Sequence, residues 1–312
     1  MMKKIGYVGT YDENHSAGIY RFSLENGILS DGSLFAAIKN AKYLKYYQDK
    51  LIAIGDFEDG AGLALLDQDG QLLDQPVYEQ KTSCFVDAHD HHIYTANYHE
   101  GSVSEIMIHE NKLRFVQKVI IEEGAGCHQI LFYEDLILVP CLLLDEIRIF
   151  DQDLNLEGII RFPPGFGCRH GVLSHDGKWL YVVGELSDQV AVVDLTQWKT
   201  VRFYSLLNST ERPYRQSAAI RLSSDGTLLF VSTRGRNTVT ILRADGCDLR
   251  IIQTLAVQGD HPRDIYLTDD LLLVANRKSN ELVTFKLQDG RVAEEPVSRL
   301  NLIEGVAIAL KE

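Results

Sequence analysis

This 312-residue sequence predicts a closed ring of about seven four-stranded β-sheets, a β-propeller. Three observations predict it. Similar segments recur at a spacing of about 40 to 50 residues, the range of propeller repeats. Two repeats place an Asp-Gly turn, Asp176-Gly177 and Asp225-Gly226, between short apolar strands about 49 residues apart. The two chain ends each supply only part of a repeat, so joining them closes the ring and removes exposed sheet edges.

One unit shows the pattern strand by strand. CRHGVLSHDGKWLYVVGELSDQVAVVDL begins at Cys168, and QSAAIRLSSDGTLLFVSTRGRNTVTIL begins at Gln216. Residues 169–174 read as a short first strand. Asp176-Gly177 supplies a tight turn, because this dipeptide readily takes positive φ. A second strand is expected over 179–183, a third over 189–195 and a more polar fourth over 201–206. Units begin near Tyr43, Cys84, His128, Arg169, Gln216 and Arg263. The seventh combines hairpin-like strands from residues 3–24 with a lone apolar strand over 306–310. Helical periodicity is scarce and no long linker divides the chain, so 1–312 is read as one propeller domain.

Composition narrows the partners. Hydrophobic residues make up 45% and charged residues 24%, enough for a sizeable core. The net charge of −13 argues against nucleic acid or an anionic membrane as partner. It leaves room for a small anionic substrate held by a local arginine cluster. The start, MMKKIGYVGTY, lacks the apolar run of a signal peptide. The apolar stretch 136–144 is short and broken by Pro140, so no membrane span is expected. Five cysteines without framework spacing are read as reduced thiols, which predicts a cytoplasmic chain. A closed ring buries its own edges, so a monomer is expected.

Propeller geometry converts the repeat into a site. The first strand of each blade lines the channel and runs antiparallel to the second. The start of strand one and the end of strand two therefore share one channel mouth. The first positions are Tyr43, Cys84, His128, Arg169 with His170, Gln216, Arg263 and Glu304. The second are Tyr11, Phe57, Tyr98, Leu142, Glu185, Arg234 and Arg277. Charged and titratable groups are costly to bury unpaired, so their convergence points to a polar ligand.

These residues also carry a resemblance. YVGTY with GIYRFSL, TANYHEGSVS, GCH, GCRH, YVVGEL, STRGRNTV, and HPRD with VANRKSN occur in order along nearly the whole chain. The sequence resembles the lactonase-type seven-bladed propeller family, which includes one class of bacterial 6-phosphogluconolactonase and fungal carboxy-cis,cis-muconate cyclases. The resemblance implies a site with no metal or cofactor, built from a histidine, a glutamate and arginines. By motif these are His128, Glu185, Arg169 and Arg234. Cys168 stands where proline is usual before the arginine, Gly184 where asparagine precedes the glutamate, and Thr233 before Arg234. Gly126 occupies the first place of the family's H-x-H variant.

The expected reaction is hydrolysis of a sugar-derived anionic lactone, foremost 6-phosphogluconolactone. His128 or Glu185 takes a proton from water, and Arg169 and Arg234 stabilise the oxyanion. Arg263 and Arg277 are candidates for the substrate's remote anion, with Tyr98 and His170 as further contacts. Each residue also has a structural reading. His128 could be a satisfied channel histidine, Glu185 and Arg234 an inter-blade ion pair, and Arg169 a brace on Glu185. The alternatives for the whole chain are a muconate-type lactonising cyclase and a propeller that binds a sugar or peptide without chemistry. Cys84, Cys127, Cys168 and His128 share the mouth as zinc-capable types, but no C-x-x-C pair supports a metal site. The run His89-Asp90-His91-His92 falls at a hairpin away from the mouth.

Overall fold

The computed structural model describes residues 3–13 and 17–311. It forms seven antiparallel blades in a ring. Blade 1 takes its innermost strand, Gly305–Leu310, from the C-terminal end and pairs it with Lys4–Thr10, followed by Ile19–Glu25 and Ile28–Ala36. The expected closure by the two chain ends is therefore present, although residues 14–16 of the expected hairpin lie outside the described residues. Blade 2 comprises Leu44–Tyr47, Lys50–Phe57 and Gly60–Leu66; its outer strand is split into Leu72–Asp74 and Val77–Glu79 around Pro76, which cannot donate to a ladder. Blades 3 and 4 begin with inner strands Phe85–His89 and Leu131–Tyr133. Blades 5, 6 and 7 begin with Cys168–Leu173, Ser217–Leu222 and Pro262–Leu267.

Blade 5 follows the sequence reading closely. Its strands are Cys168–Leu173, Trp179–Gly184, Gln189–Asp194 and Lys199–Ser205. Gly177 has φ +69, and the Asp176 carboxylate accepts the Lys178 N–H at 3.1 Å. The third strand, buried from Val190 to Asp194, is rich in valine, as a strand covered on both faces should be.

Apolar packing between neighbouring blades holds the ring. Phe230 and Val239 of blade 6 pack with Phe285 and Val274 of blade 7. Val8 and Phe22 of blade 1 pack with Leu271 and Leu273 of blade 7, sealing the closure. Truncating the fully buried Phe230 to alanine should cost about 3–5 kcal/mol.

A repeated polar device fixes the channel mouth. Asp145, Asp188, Asn237 and Asn280 each stand just before the third strand of blades 4 to 7, at φ between +51 and +57. Asp and Asn tolerate this left-handed conformation better than most side chains. Their side-chain oxygens accept the backbone N–H of Gly167, Arg215, His261 and Glu304, at 2.6, 2.7, 2.8 and 2.9 Å. Each acceptor thus pins the entrance to the next blade.

Candidate active site at the channel mouth

Irregular pairing aims the key arginines. In blade 5 the register slips between Cys168 and His170, making Arg169 the extra residue of a β-bulge. In blade 7 it slips between Pro262 and Asp264, at Arg263. A bulge breaks strict side-chain alternation and is a common way to direct a residue into a site. His128 precedes the regular inner strand of blade 4. Its N–H donates to the Pro140 carbonyl at 2.9 Å, beside the isolated Cys127–Cys141 bridge.

The centre of the site is a carboxylate shared by two arginines. Glu185, just past the second strand of blade 5, lies 2.9 Å from Arg169 Nε and 2.8 Å from Arg234 Nη2. Both arginines are buried. Each is held a second time: Arg169 donates to the Ala218 carbonyl at 2.7 Å and Arg234 to the Gln216 carbonyl at 2.9 Å. The brace and ion-pair readings of these residues are therefore present in the structure. Glycine before Glu185 follows from packing. A Cβ at Gly184 would stand 2.7 Å from the Phe166 carbonyl oxygen and 2.3 Å from Ser187 Oγ.

His128 and His170 lie beside this centre, both buried, with ring centroids 5.0 Å apart. Burial, the Arg169 charge and the Arg263 charge hold the His128 pKa well below the usual histidine value. Burial and Arg169 depress His170 likewise. His128 is therefore a neutral imidazole at pH 7, and its Nδ1 is buried without a hydrogen-bond partner. Arg169 Nη1 lies 3.3 Å from His170 Nδ1. Guanidinium only donates, so this contact places the His170 proton on Nε2. Tyr98 packs edge-on against His128 at 5.8 Å. Gly126 has φ +71, and a Cβ there would stand 3.2 Å from the Tyr98 ring, which accounts for glycine at the place of the variant histidine.

The two remote-anion candidates differ. Arg263 donates to the Tyr11 hydroxyl at 2.7 Å and has no carboxylate partner among the described residues. Arg277 is already matched: it pairs with Glu13 and lies 3.4 Å from Glu304, with its guanidinium 4.4 Å from the centre of the Tyr11 ring. Two expected mouth residues play other parts. Glu304 is a buried partner of Arg277, and Tyr43 turns inward, its ring 6.5 Å from His170 and its hydroxyl near Arg221.

Sequence reasoning missed His261. It is buried, with Nδ1 lacking a partner, at φ +66. Burial and the charges of Arg234 and Arg263 push its pKa down to about 3. Its signal was the HPRD segment, where only Arg263 was singled out. Among the described residues no group of three or more His, Cys, Asp and Glu side chains is arranged to hold a metal ion. The thiol of Cys168 points at the Glu146 and Cys141 carbonyls, and that of Cys84 at the Cys127 carbonyl. In the His89–His92 hairpin, His92 Nδ1 meets the buried Glu105 at 2.7 Å, away from the mouth.

The architecture is that of a seven-bladed propeller with buried arginines and histidines gathered at one channel mouth. Residues 5–299 match the model of the lactonase family, described as a 7-bladed beta-propeller, and the chain belongs to that family. It is 26% identical over 320 residues to a 6-phosphogluconolactonase of Bacillus subtilis (strain 168), covering 92% of each chain. It is 30% identical over 315 residues to the uncharacterized protein YwcC of Lactococcus lactis subsp. lactis (strain IL1403), covering 91% of this chain and 92% of that one. A crystal structure of a Lactobacillus plantarum protein superposes with a TM-score of 0.92 at 26% identity over the whole of both chains. No helix among the described residues is long and apolar enough to cross a membrane.

Proposed function

We propose that this protein hydrolyses a sugar-derived lactone carrying an anionic group, with 6-phosphogluconolactone the first candidate. The observation that carries the reading is a neutral, buried His128 beside three arginines, of which Arg169 and Arg234 share the one carboxylate of Glu185. The 6-phosphogluconolactonase relative supports the choice of substrate.

In this reading, His128 takes a proton from a water whose oxygen attacks the lactone carbonyl carbon. Both Glu185 oxygens are engaged by arginines, which favours a positioning role for it and leaves His128 as the base. The carbonyl oxygen becomes an oxyanion facing Arg169 and Arg234, whose held guanidiniums need little reorganisation. Collapse breaks the ring C–O bond, and the proton on His128 passes to the departing ring oxygen. The products are a free hydroxyl and a carboxylic acid, which ionises and releases one proton. An incoming anion offsets the arginine charges that depress the histidine, so substrate binding itself strengthens the base.

Proton release in weak buffer near pH 6.5, on adding fresh 6-phosphogluconolactone, tests the proposal. The expected result is acceleration over spontaneous opening that His128→Ala reduces by about 10²–10⁴-fold. A wild-type rate equal to the background would remove this substrate from consideration.

A further inference from the structure

We propose that His261 and Arg263, with Lys278 at their rim, form a seat for a phosphate monoester at the end of the substrate remote from its lactone carbonyl. This rests on lactone opening at the neighbouring Arg169–Glu185–Arg234 centre.

The entrance residue of each blade is the first observation. Blades 4 and 5 place Gly126 and Gly167 at the left-handed position before the inner strand, at φ +71 and +69. Blade 7 places His261 there at φ +66, directly before Pro262. Blades 6 and 1 place Arg215 and Glu304 at the equivalent entrance, at φ +57 and +52, so the conformation is shared and the buried imidazole is what sets His261 apart. The His261 backbone is fully held: its N–H donates to Asn237 at 2.8 Å, and its carbonyl accepts the Arg277 N–H at 3.1 Å.

The side chain is the second observation. His261 is 8% exposed, yet its buried Nδ1 has no partner. After burial, the largest influences on it are cationic: Arg234 from blade 6, and Arg263, Lys278 and Arg277 from blade 7. Arg277 is satisfied by Glu13 and Glu304, so it is not part of the seat. Arg263 uses one nitrogen on Tyr11, and its remaining N–H donors have no protein acceptor among the described residues. A buried orphan imidazole nitrogen beside an unmatched guanidinium is a poor arrangement for an empty protein and a good one for phosphate oxygens.

The seat is tested by comparing 6-phosphogluconolactone, a uronic-acid-derived lactone and uncharged gluconolactone on wild type, His261→Asn and Arg263→Ala. Asparagine tolerates the left-handed backbone, so His261→Asn preserves the entrance even if other replacements unfold it. Both variants should raise KM for the phosphorylated lactone about tenfold more than for gluconolactone, the loss of a charged hydrogen bond. An equal effect on the phosphorylated and uncharged lactones overturns the seat while leaving lactone opening intact. A selective effect on the carboxylate-bearing lactone alone also overturns the phosphate assignment. If wild type opens none of the lactones, titration of 6-phosphogluconate against gluconate by calorimetry decides the matter. Phosphate-dependent binding that His261→Asn weakens supports the seat, and equal affinity for the two acids rejects it.

Discussion

Deeper in the channel Arg221 meets Asp264 one to one at 2.8 Å, whereas at the mouth Arg169 and Arg234 divide a single carboxylate, Glu185. The two regions draw on the same inner strands. The deep pair is further satisfied by backbone, since Asp264 accepts the Ile308 N–H at 2.9 Å and Arg221 donates to the Ile220 carbonyl at 2.9 Å. It ties blades 6, 7 and 1 together. The mouth adds Arg263, which has no carboxylate partner among the described residues, and neutral histidines that cannot balance it. A matched charge pair reads as a brace, while an excess of buried cations held by backbone carbonyls is what the proposed anionic substrate calls for.

The largest expected difference comes from neutralising each carboxylate in turn. Glu185→Gln should lower kcat/KM by about 10²–10³-fold, because Arg169 and Arg234 lose the group that holds them on the oxyanion. Asp264→Asn should destabilise the fold by about 3–5 kcal/mol by breaking a buried pair, with turnover of the folded enzyme changed only a few-fold. Thermal unfolding and steady-state kinetics on both variants separate the two roles.

Acidity sharpens the contrast next. The acid limb of kcat/KM reports the free enzyme's base, and the His128 pKa lies well below the ordinary value of about 6.5. The limb should therefore fall below pH 6.5, and a limb above it would argue against His128. Stability responds to the same histidines. His128, His170 and His261 all have folded pKa values depressed below the unfolded one. The unfolded chain therefore binds more protons below about pH 6.5, and stability falls as pH drops. The slope is at most about 1.4 kcal/mol per pH unit for each histidine. Melting temperatures between pH 7 and 5 should decline, less steeply in His170→Phe.

The smallest effect belongs to Arg277→Ala. Its charge is already met by Glu304 and Glu13, so removing it should change KM for an anionic lactone by less than about fivefold, the scale of a partly exposed ion pair. A loss matching that of Arg263→Ala would return Arg277 to the substrate site.

The contrast also marks what the sequence could reveal. Blade period and Asp-Gly turns were legible as local patterns that recur, and ring closure because each chain end supplied only part of a blade. The convergence of His128, Arg169, Glu185 and Arg234 was legible because a propeller sends equivalent positions to one mouth. The balance of charge was not. Glu304 and Glu13 reach Arg277 from opposite ends of the chain, and Tyr43 turns toward Arg221 through a side-chain choice that strand period does not encode. The bulges that aim Arg169 and Arg263 depend on register with the next strand. His261 reads in sequence as a loop residue before proline, and only its burial and unpartnered Nδ1 set it apart.

The most direct test is proton release from 6-phosphogluconolactone by wild type, Glu185→Gln and Asp264→Asn, measured side by side on folded protein. Rapid release by wild type and Asp264→Asn, with Glu185→Gln near the spontaneous rate, is the predicted result. Equal rates in the two carboxylate variants would contradict the assignment of chemistry to the mouth.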